Sequence, residues 1–576
     1  MPLQILPRPR PVWIEPEEIP EAFDWGQLHS HRLIASLLYR RGFRTSDDAA
    51  RMLDRSDPTQ LDYRLLPNIE LAIDRTTAAI DANEHIGIFA DYDADGLTSA
   101  TLLTRALRSA MPNGKVTPFV PDRSDGYGVS ERGVRLLAEA GCSVIIAVDT
   151  GTNDREMVDL AKSLGMDLIV LDHHEVSAHP AECIIVNPKL DPENSYPELV
   201  GVGVAWFFAM GLLDHGYDIA RLDGGDVTAM LDLVAIGTVA DVGTLQGANR
   251  MLVSHGLARL HRSERPAVRA LARFSETPLH MVTSEDISFR IGPRLNATGR
   301  VASPDKALRM MLAEDEDTAN RYGHFVEQCN TNRKAQTDHI MREVAQRILH
   351  IPNWESLPII ALHGENWSTG LVGPIASKIT ERLGVPAIVM QQQGDMLTGS
   401  GRSVHGVNLL NIIAEADPLL TRYGGHAGAG GVTLPLSNFR DFVDVITAAA
   451  GRPALGLPQQ PVVKLDAWLP EQAFRPSIVD DLQALAPFGT GNHMPMFGVP
   501  KARLLYFNTM GKDKSHLKLT LGTPGQELQA IMWGGAHRSD ELVGATHVDV
   551  CGKLSLNTFQ GKKSLQIIME DFRLPI

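Results

Sequence analysis

Between about residue 63 and residue 253 the chain alternates short, β-rich apolar runs with amphipathic helical stretches, and the apolar runs end in acid. Three of these runs are Ile86–Ala90, Val144–Val148 and residues 168–171, with helical patterning over 97–110, 131–140 and 155–164. Such alternation predicts an α/β fold of βαβ units around a mostly parallel sheet, with functional residues in the loops after the strands. Those loops carry Asp91-Tyr92-Asp93-Ala94-Asp95-Gly96, Asp149-Thr150-Gly151 and Asp172-His173-His174-Glu175. A fourth apolar segment, 231–240, runs into Asp241 and is read as another strand end, or else as the end of a helix.

Each cluster has an ordinary reading beside the chemical one. Asp91, Asp93 and Asp95 alternate, so two of them can project to one side, but Asp also suits a solvated turn and a helix N-cap. An EF-hand loop is excluded, because its twelfth position holds Leu102 rather than Glu. Asp149 alone suits a turn. Asp172-His173-His174 is stronger, since imidazoles buried beside carboxylates are costly without partners. Oxygen and imidazole ligands converging from several strand ends suit hard or borderline divalent cations. Two such ions activate water and stabilise a leaving oxygen, so the chemistry points to a metal-dependent phosphodiesterase.

At 576 residues the chain is long enough for three or more domains. Segments are expected at 1–62 (a helical prelude), 63–255 (the catalytic α/β core) and 256–350 (a helical connector with long helices over 305–349). A second α/β unit follows at 351–450, a Pro/Gly linker at 451–463, and a module of short strands, read as a small barrel, at 464–576. The four cysteines lack metal-ligand spacing, and no run is long and apolar enough to span a bilayer. The N-terminus lacks the apolar stretch of a signal peptide, so a cytoplasmic setting is expected. A net charge of −15 argues mildly against nucleic-acid binding, but from residue 501 onward 10 Lys+Arg face 7 Asp+Glu, a local net of +3.

Taken in order, the four clusters resemble the DHH phosphoesterase superfamily and, within it, the RecJ family of single-strand-specific 5′→3′ DNA exonucleases. The likeness extends to Phe289-Arg290-Ile291-Gly292-Pro293-Arg294-Leu295-Asn296, to Gly399-Ser400-Gly401-Arg402, to the glycine-rich stretch 424–431 and to 486–497. It implies a DHH core, a DHH-associated second domain and a C-terminal OB-like nucleic-acid-binding barrel. It further implies that Asp93 binds one metal, that Asp149 bridges two, and that Asp95, His173 and Asp241 hold the second. His174 then sits at the scissile phosphate, with Asp91 in support. Many relatives carry a histidine where this chain has Phe89, which implies a more water-rich first site.

The same resemblance assigns the substrate's 5′-phosphate to Arg123, Ser400 and Arg402, with Gly424, Gly425 and His426 close to the nucleotide. Arg294, Asn296 and Arg300 are candidates for the strand's path or for structural roles in the connector. On the barrel, Lys512, Lys514, Lys518 and Lys562 are candidate phosphate contacts, with Phe507, Phe559 and Trp533 as possible stacking platforms and Trp533 read rather as core. Mn²⁺ or Mg²⁺ is the implied cofactor, single-stranded DNA the substrate, and 5′-mononucleotides the product, in DNA repair and recombination. Family inference adds a single-strand-binding protein and a helicase as partners of a monomer that does not engage membranes. Two rival readings are a compact phosphodiesterase or pyrophosphatase of the same superfamily, and a non-catalytic DNA-binding scaffold.

Overall fold

Residues 10–452, 461–469, 473–523, 526–559 and 562–575 are described in the structure, a computed structural model. The chain divides into two units: one of Met1–Ala49, Arg333–Ala484 and Met494–Ile576, the other of Ala50–Asn332 and Leu485–His493. The first unit opens not on a helix but on strand β1 (Val12–Ile14), which pairs in parallel with residues 462–464. Three residues among prolines are too few to show a period, which is why the sequence reads as a helical prelude. Helices α1 (Arg32–Arg40) and α2 (Ser46–Leu53) follow.

The second unit carries the expected alternation. Helix α3 (Ile69–Asp81) precedes β2 (Ile86–Ala90), α4 (Ala94–Ala110), β3 (Val116–Phe119), α5 (Glu131–Glu139) and β4 (Val144–Val148). Then come α6 (Arg155–Ser163), β5 (Asp167–Leu171) and β6 (Ile184–Val186). All five strands run parallel in the order β3-β2-β4-β5-β6. Strands β2 and β4 are buried at every residue, as suits central strands covered on both faces. The strand order reverses between β2 and β4, and ligands of open α/β sheets bind at such a switch point.

Register does the rest. Ala90 pairs with Val148, and Val148 with Leu171, so the next residues, Asp91, Asp149 and Asp172, line up along one edge. Beyond the sheet lie α7 (Gly201–Asp214), α8 (Leu231–Ala240) and α9 (Gly247–Leu260). Asp241 therefore ends a helix, not a strand. Nearly every residue of α8 is buried, and a segment that is apolar all round gives no period by which to tell helix from strand. Helix α10 (Pro266–Phe274), the single turn α11 (Ser284–Asp286) and a π-helical turn, Ile287–Ile291, lead to α12 (Gly292–Val301) and α13 (Asp305–Met311). The long α14 (Glu316–Leu349) follows.

In the first unit, β7 (Ile360–Gly364), α15 (Thr369–Leu383), β8 (Ala387–Gln393), β9 (Met396–Arg402), α16 (Leu409–Ala414), β10 (Arg422–His426), β11 (Ala429–Pro435) and α17 (Phe439–Ala450) build a sheet of order β10-β11-β9-β8-β7. The glycine-rich stretch 424–431, which shows no strand pattern in the sequence, is thus a hairpin of two strands, with β10 at the sheet's edge. Most of the expected linker lies outside the described residues. Beyond it, β12 (Val462–Lys464), β13 (Ala467–Trp468) and α18 (Ser477–Leu482) precede the barrel strands β14 (Phe497–Met510), β15 (His516–Thr523), β16 (Gln526–Met532), β17 (His547–Phe559) and β18 (Lys562–Arg573). Pairing of β14 with β17 closes these five strands, with Leu517, Leu519 and Leu521 turned inward. The N-terminal segment is tied to this module by Trp13 Nε1, which donates to Asp571 Oδ2 at 2.7 Å.

Arg250 of α9 is buried and donates to the carbonyls of Met52, Leu485, Ala486 and Pro487 at 2.8 to 3.2 Å. It thereby holds Leu485–His493 within the catalytic unit. Arg250→Ala would remove a buried charged donor from four carbonyls, of which Leu485 and Pro487 keep Asn492 and Ala486 keeps Arg55, and should destabilise the protein by about 2 kcal/mol, read as an earlier unfolding midpoint in urea. An unchanged midpoint would show the segment to be held by other contacts.

Candidate metal centre

Asp149 stands at the switch point with φ +59°, a left-handed conformation that costs a non-glycine residue energy and clusters at functional sites. Helix α7 begins directly against it: a Cβ at Gly201 would lie 2.7 Å from that of Asp149. Asp95, in the first turn of α4, is fully buried and accepts from the backbone N–H groups of Gly201 and Val202 at 2.7 and 2.9 Å. It thus satisfies donors that the start of α7 would leave orphaned. Asp93 caps α4 itself, one oxygen accepting from the N–H groups of Asp95 and Gly96 at 2.9 and 3.1 Å. The ordinary reading of Asp93 as a helix cap is correct, and its second oxygen remains for other work.

These side chains gather into two sets whose potential ligand atoms all lie within 4.8 Å of one another: Asp91, Asp93 and Asp149, and Asp95, His173 and Asp241. Asp149 also groups with His173 and His174. Nε2 of His173 sits 3.1 Å from Asp149 Oδ1, 3.7 Å from Asp241 Oδ2 and 3.8 Å from Asp95 Oδ2. Neither His173 Nε2 nor Asp149 Oδ1 has an aligned hydrogen bond, although both are buried. Asp91, expected only to support, contributes its carboxylate to the first set.

Burial, and then the neighbouring carboxylates, pushes Asp95 and Asp149 well above the usual carboxylate range and raises Asp91 and Asp241 as well. Burial and the adjacent His174 hold the His173 imidazole down at about 3, so it is neutral and able to act as a ligand. Orphaned buried oxygens, a neutral imidazole and carboxylates that resist sharing negative charge are the conditions a divalent cation relieves. The donor set fits Mn²⁺ or Mg²⁺. Phe89 adds no ligand: it is buried in the core with its ring centroid 5.3 Å from that of Phe119.

Asp172, quoted in the motif without a role, belongs to neither set. Its Oδ1 accepts from His174 Nδ1 at 2.7 Å and from the backbone of His173 and His174, and its Oδ2 accepts from Thr152. Burial pushes Asp172 up most strongly, but the hydrogen bond and charge of His174, the Thr152 hydrogen bond and the nearby His173 together hold the carboxyl below its usual range. Burial likewise opposes charge on His174, yet the bond to Asp172 and the negative charges of Asp172, Asp91 and Asp241 together lift that ring to about 9. His174 is therefore a fixed imidazole shifted toward its protonated form beside the carboxylates, with Tyr127 edge-on at 5.7 Å between ring centroids.

The other candidates separate by unit. In the catalytic unit, Arg123 donates Nε to Gly299 O at 2.9 Å, with its guanidinium 4.7 Å above the Tyr92 ring. Asn296 Oδ1 accepts from the N–H of Ala94 at 2.7 Å and so positions the acidic turn. Arg300 lies in the last turn of α12. Arg294 fits the structural alternative: it is buried, ion-paired to Glu327 at 2.6 Å and bonded to the carbonyls of Arg290 and Phe274. In the other unit, Arg402 Nη1 donates to Ser400 Oγ and to Gly401 O, both at 2.8 Å, so this Ser and Arg are brought together on β9. Gly424, Gly425 and His426 lie exposed on edge strand β10.

On the barrel, Lys512 and Lys514 occupy the exposed β14–β15 turn, and Lys518 points outward from β15. Phe507 is half-buried, while the side chains of Lys562 and Phe559 lie outside the described residues. Trp533 is not core: it is 57% exposed and meets His516 edge-on at 4.8 Å. Tyr506, 63% exposed, is an aromatic the sequence reading missed; alternation along β14 signals it, because Thr520, its partner across the pair, faces outward as Lys518 does.

Models of three domain families match the chain: the DHH family, N-terminal domain, over residues 85–238, the DHHA1 domain over 356–452, and the RecJ OB domain over 465–571. Fold and centre together define a DHH-type phosphoesterase. The chain is 33% identical to the single-stranded-DNA-specific exonuclease RecJ of Dickeya dadantii over 93% of its own length and 95% of that protein. It is 32% identical to the RecJ of Bacillus subtilis, over 95% of this chain and 68% of that one. Its fold matches the crystal structure of Thermus thermophilus RecJ in complex with Mn²⁺ with a TM-score of 0.83 at 27% identity, covering 98% of this chain and 80% of that one, and the same Thermus protein has been solved with Mg²⁺. The chain belongs to the RecJ family.

Two consequences are measurable. Saturating Mn²⁺ should stabilise the protein by about 2.7 kcal/mol at a hundredfold excess over its dissociation constant, and Asp149→Asn should abolish that gain while leaving the metal-free protein folded. A full Mn²⁺ gain in that variant would remove Asp149 from the centre. Asp172→Asn should lower turnover by roughly 10²-fold, through loss of the fixed His174, yet keep the Mn²⁺ stabilisation; loss of both would place Asp172 in the metal shell.

Proposed function

We propose that this chain is a metal-dependent exonuclease that degrades single-stranded DNA from its 5′ end to 5′-mononucleotides, in DNA repair and recombination. The observation that carries the reading is the pair of ligand sets, Asp91–Asp93–Asp149 and Asp95–His173–Asp241, with Asp149 Oδ1 3.1 Å from His173 Nε2 between them, set beside a His174 fixed by Asp172 in a chain with DHHA1 and OB domains. Asp91, Asp93 and Asp149 hold one ion; Asp95, His173 and Asp241, with Asp149 shared, hold the other. Two divalent cations so held supply charge neutralisation at the attacking and leaving oxygens of a phosphodiester. His174, cationic and oriented by Asp172, binds the scissile phosphate and keeps a proton near the departing oxygen.

Arg123 and the Ser400–Arg402 pair recognise the 5′-phosphate, a task suited to planar guanidinium groups. Gly424, Gly425 and His426 present an exposed strand edge to the terminal nucleotide. The barrel holds strand further along, through Lys512, Lys514 and Lys518, with Tyr506 and Trp533 as base platforms on its outer face. A single-strand-binding protein and a helicase are the partners of this reading, and the working form is a monomer. Four unpaired cysteines accord with a reducing, cytoplasmic setting.

A long single strand carrying a 5′-phosphate and labelled at either end tests the reading in Mn²⁺ and in EDTA. Mononucleotides should leave from the 5′ end, in Mn²⁺ only, with duplex spared; release from the 3′ end, or cleavage confined to oligomers of a few nucleotides, would contradict it. Arg402→Ala should cut activity about tenfold on phosphorylated ends and leave hydroxyl ends nearly unaffected. Equal losses on both would remove Arg402 from end recognition.

A further inference from the structure

Around a centre built of acids and imidazoles, two large apolar side chains stand in solvent without an evident structural purpose: Val242, 67% exposed, and Phe289, 76% exposed. Val242 directly follows the ligand Asp241 and is held at φ +62°. A β-branched residue is strained there, and such strain persists where the surroundings impose it. Phe289 is carried by the π-helical turn Ile287–Ile291, whose two end isoleucines are buried while Phe289 and Arg290 face outward. Turns of this kind concentrate at functional sites.

Packing places this turn beside the centre. A Cβ at Gly292 would lie 2.8 Å from that of Ala240, so the head of α12 rests on the last turn of α8, next to Asp241. Toward its other end, α12 meets the acidic turn through Asn296 and receives Arg123 at Gly299 O. From Gly292 to Gly299 is about 10 Å of helix. Helix α12 therefore spans the centre, with Arg123 at one end and the Phe289 turn at the other.

We propose that Phe289, backed by Val242, is a stacking platform for one unpaired base of the strand, on the side of the centre remote from Arg123. The inference rests on the exonuclease reading with the 5′-phosphate at Arg123, and it assigns a substrate contact to residues so far without one. An exposed aromatic ring is sequence-tolerant, because every base offers a π-face, and a paired base is not free to reach it. The platform thus contributes to selection for single strands at the centre itself, independently of the barrel.

The test is an abasic scan: 5′-phosphorylated single strands with one abasic residue, moved stepwise from the 5′ end, are digested in Mn²⁺ by wild type, Phe289→Ala and Phe289→Tyr. Wild type should lose about tenfold in kcat/KM at one position near the end, the size of one lost base–aromatic stack. Phe289→Ala should be about tenfold slower on the intact strand and indifferent to that position, whereas Phe289→Tyr should keep the wild-type profile. A Phe289→Ala enzyme that matches wild type on intact strands, or keeps the sensitive position, would overturn the platform alone. Wild type failing to cut intact strands would instead overturn the exonuclease reading, and the platform with it.

Discussion

Five carboxylates, from Asp91, Asp93, Asp95, Asp149 and Asp241, are brought together with His173 at one edge of a parallel sheet, where their mutual repulsion is the constraint around which the catalytic unit is organised. Water cannot screen charges buried this deeply, so the group is stable only if its oxygens are bonded, protonated or bound to cations. The fold supplies part of the answer in backbone donors: Asp93 takes the start of α4, and Asp95 the start of α7. What remains, Asp149 Oδ1 above all, has no donor to meet it. The charge left over is a demand for cations, of the kind with which Thermus thermophilus RecJ has been solved, Mn²⁺ and Mg²⁺.

Cap and ligand are therefore not competing descriptions of these residues. A carboxylate has two oxygens, and at Asp93 one fixes the helix while the other faces the centre. The hydrogen bond orients the side chain before any ion arrives, so little reorganisation is left for binding. Asp172 shows the opposite division of labour. Every bond it makes is internal: it orients the His174 ring and holds the backbone of His173 and His174.

Much of this was legible in the sequence, for identifiable reasons. Apolar runs that end in acid, separated by amphipathic stretches, mark parallel strands, and the pairing of Ala90, Val148 and Leu171 then aligns the acids that follow. For Asp241 the sequence leaves strand end and helix end both open, because a helix buried on all sides has no polar face to reveal its period. The hairpin of β10 and β11 shows no strand pattern because glycine masks strand propensity. Trp533, read as core because tryptophan usually is, stands outward beside His516, and Arg294 takes the structural one of its two readings through its pairing with Glu327. Neither neighbour is close in sequence. Side-chain partners across long separations are what a single sequence conceals.

The central claim is that two ions, held by distinct ligand sets sharing Asp149, neutralise the cluster. Calorimetric titration of the metal-free protein with Mn²⁺ counts them directly, with Asp93→Asn and Asp241→Asn each expected to remove a different one. The account predicts two ions per chain in the wild type and one in each variant. A single ion in the wild type, lost in both variants alike, would contradict it.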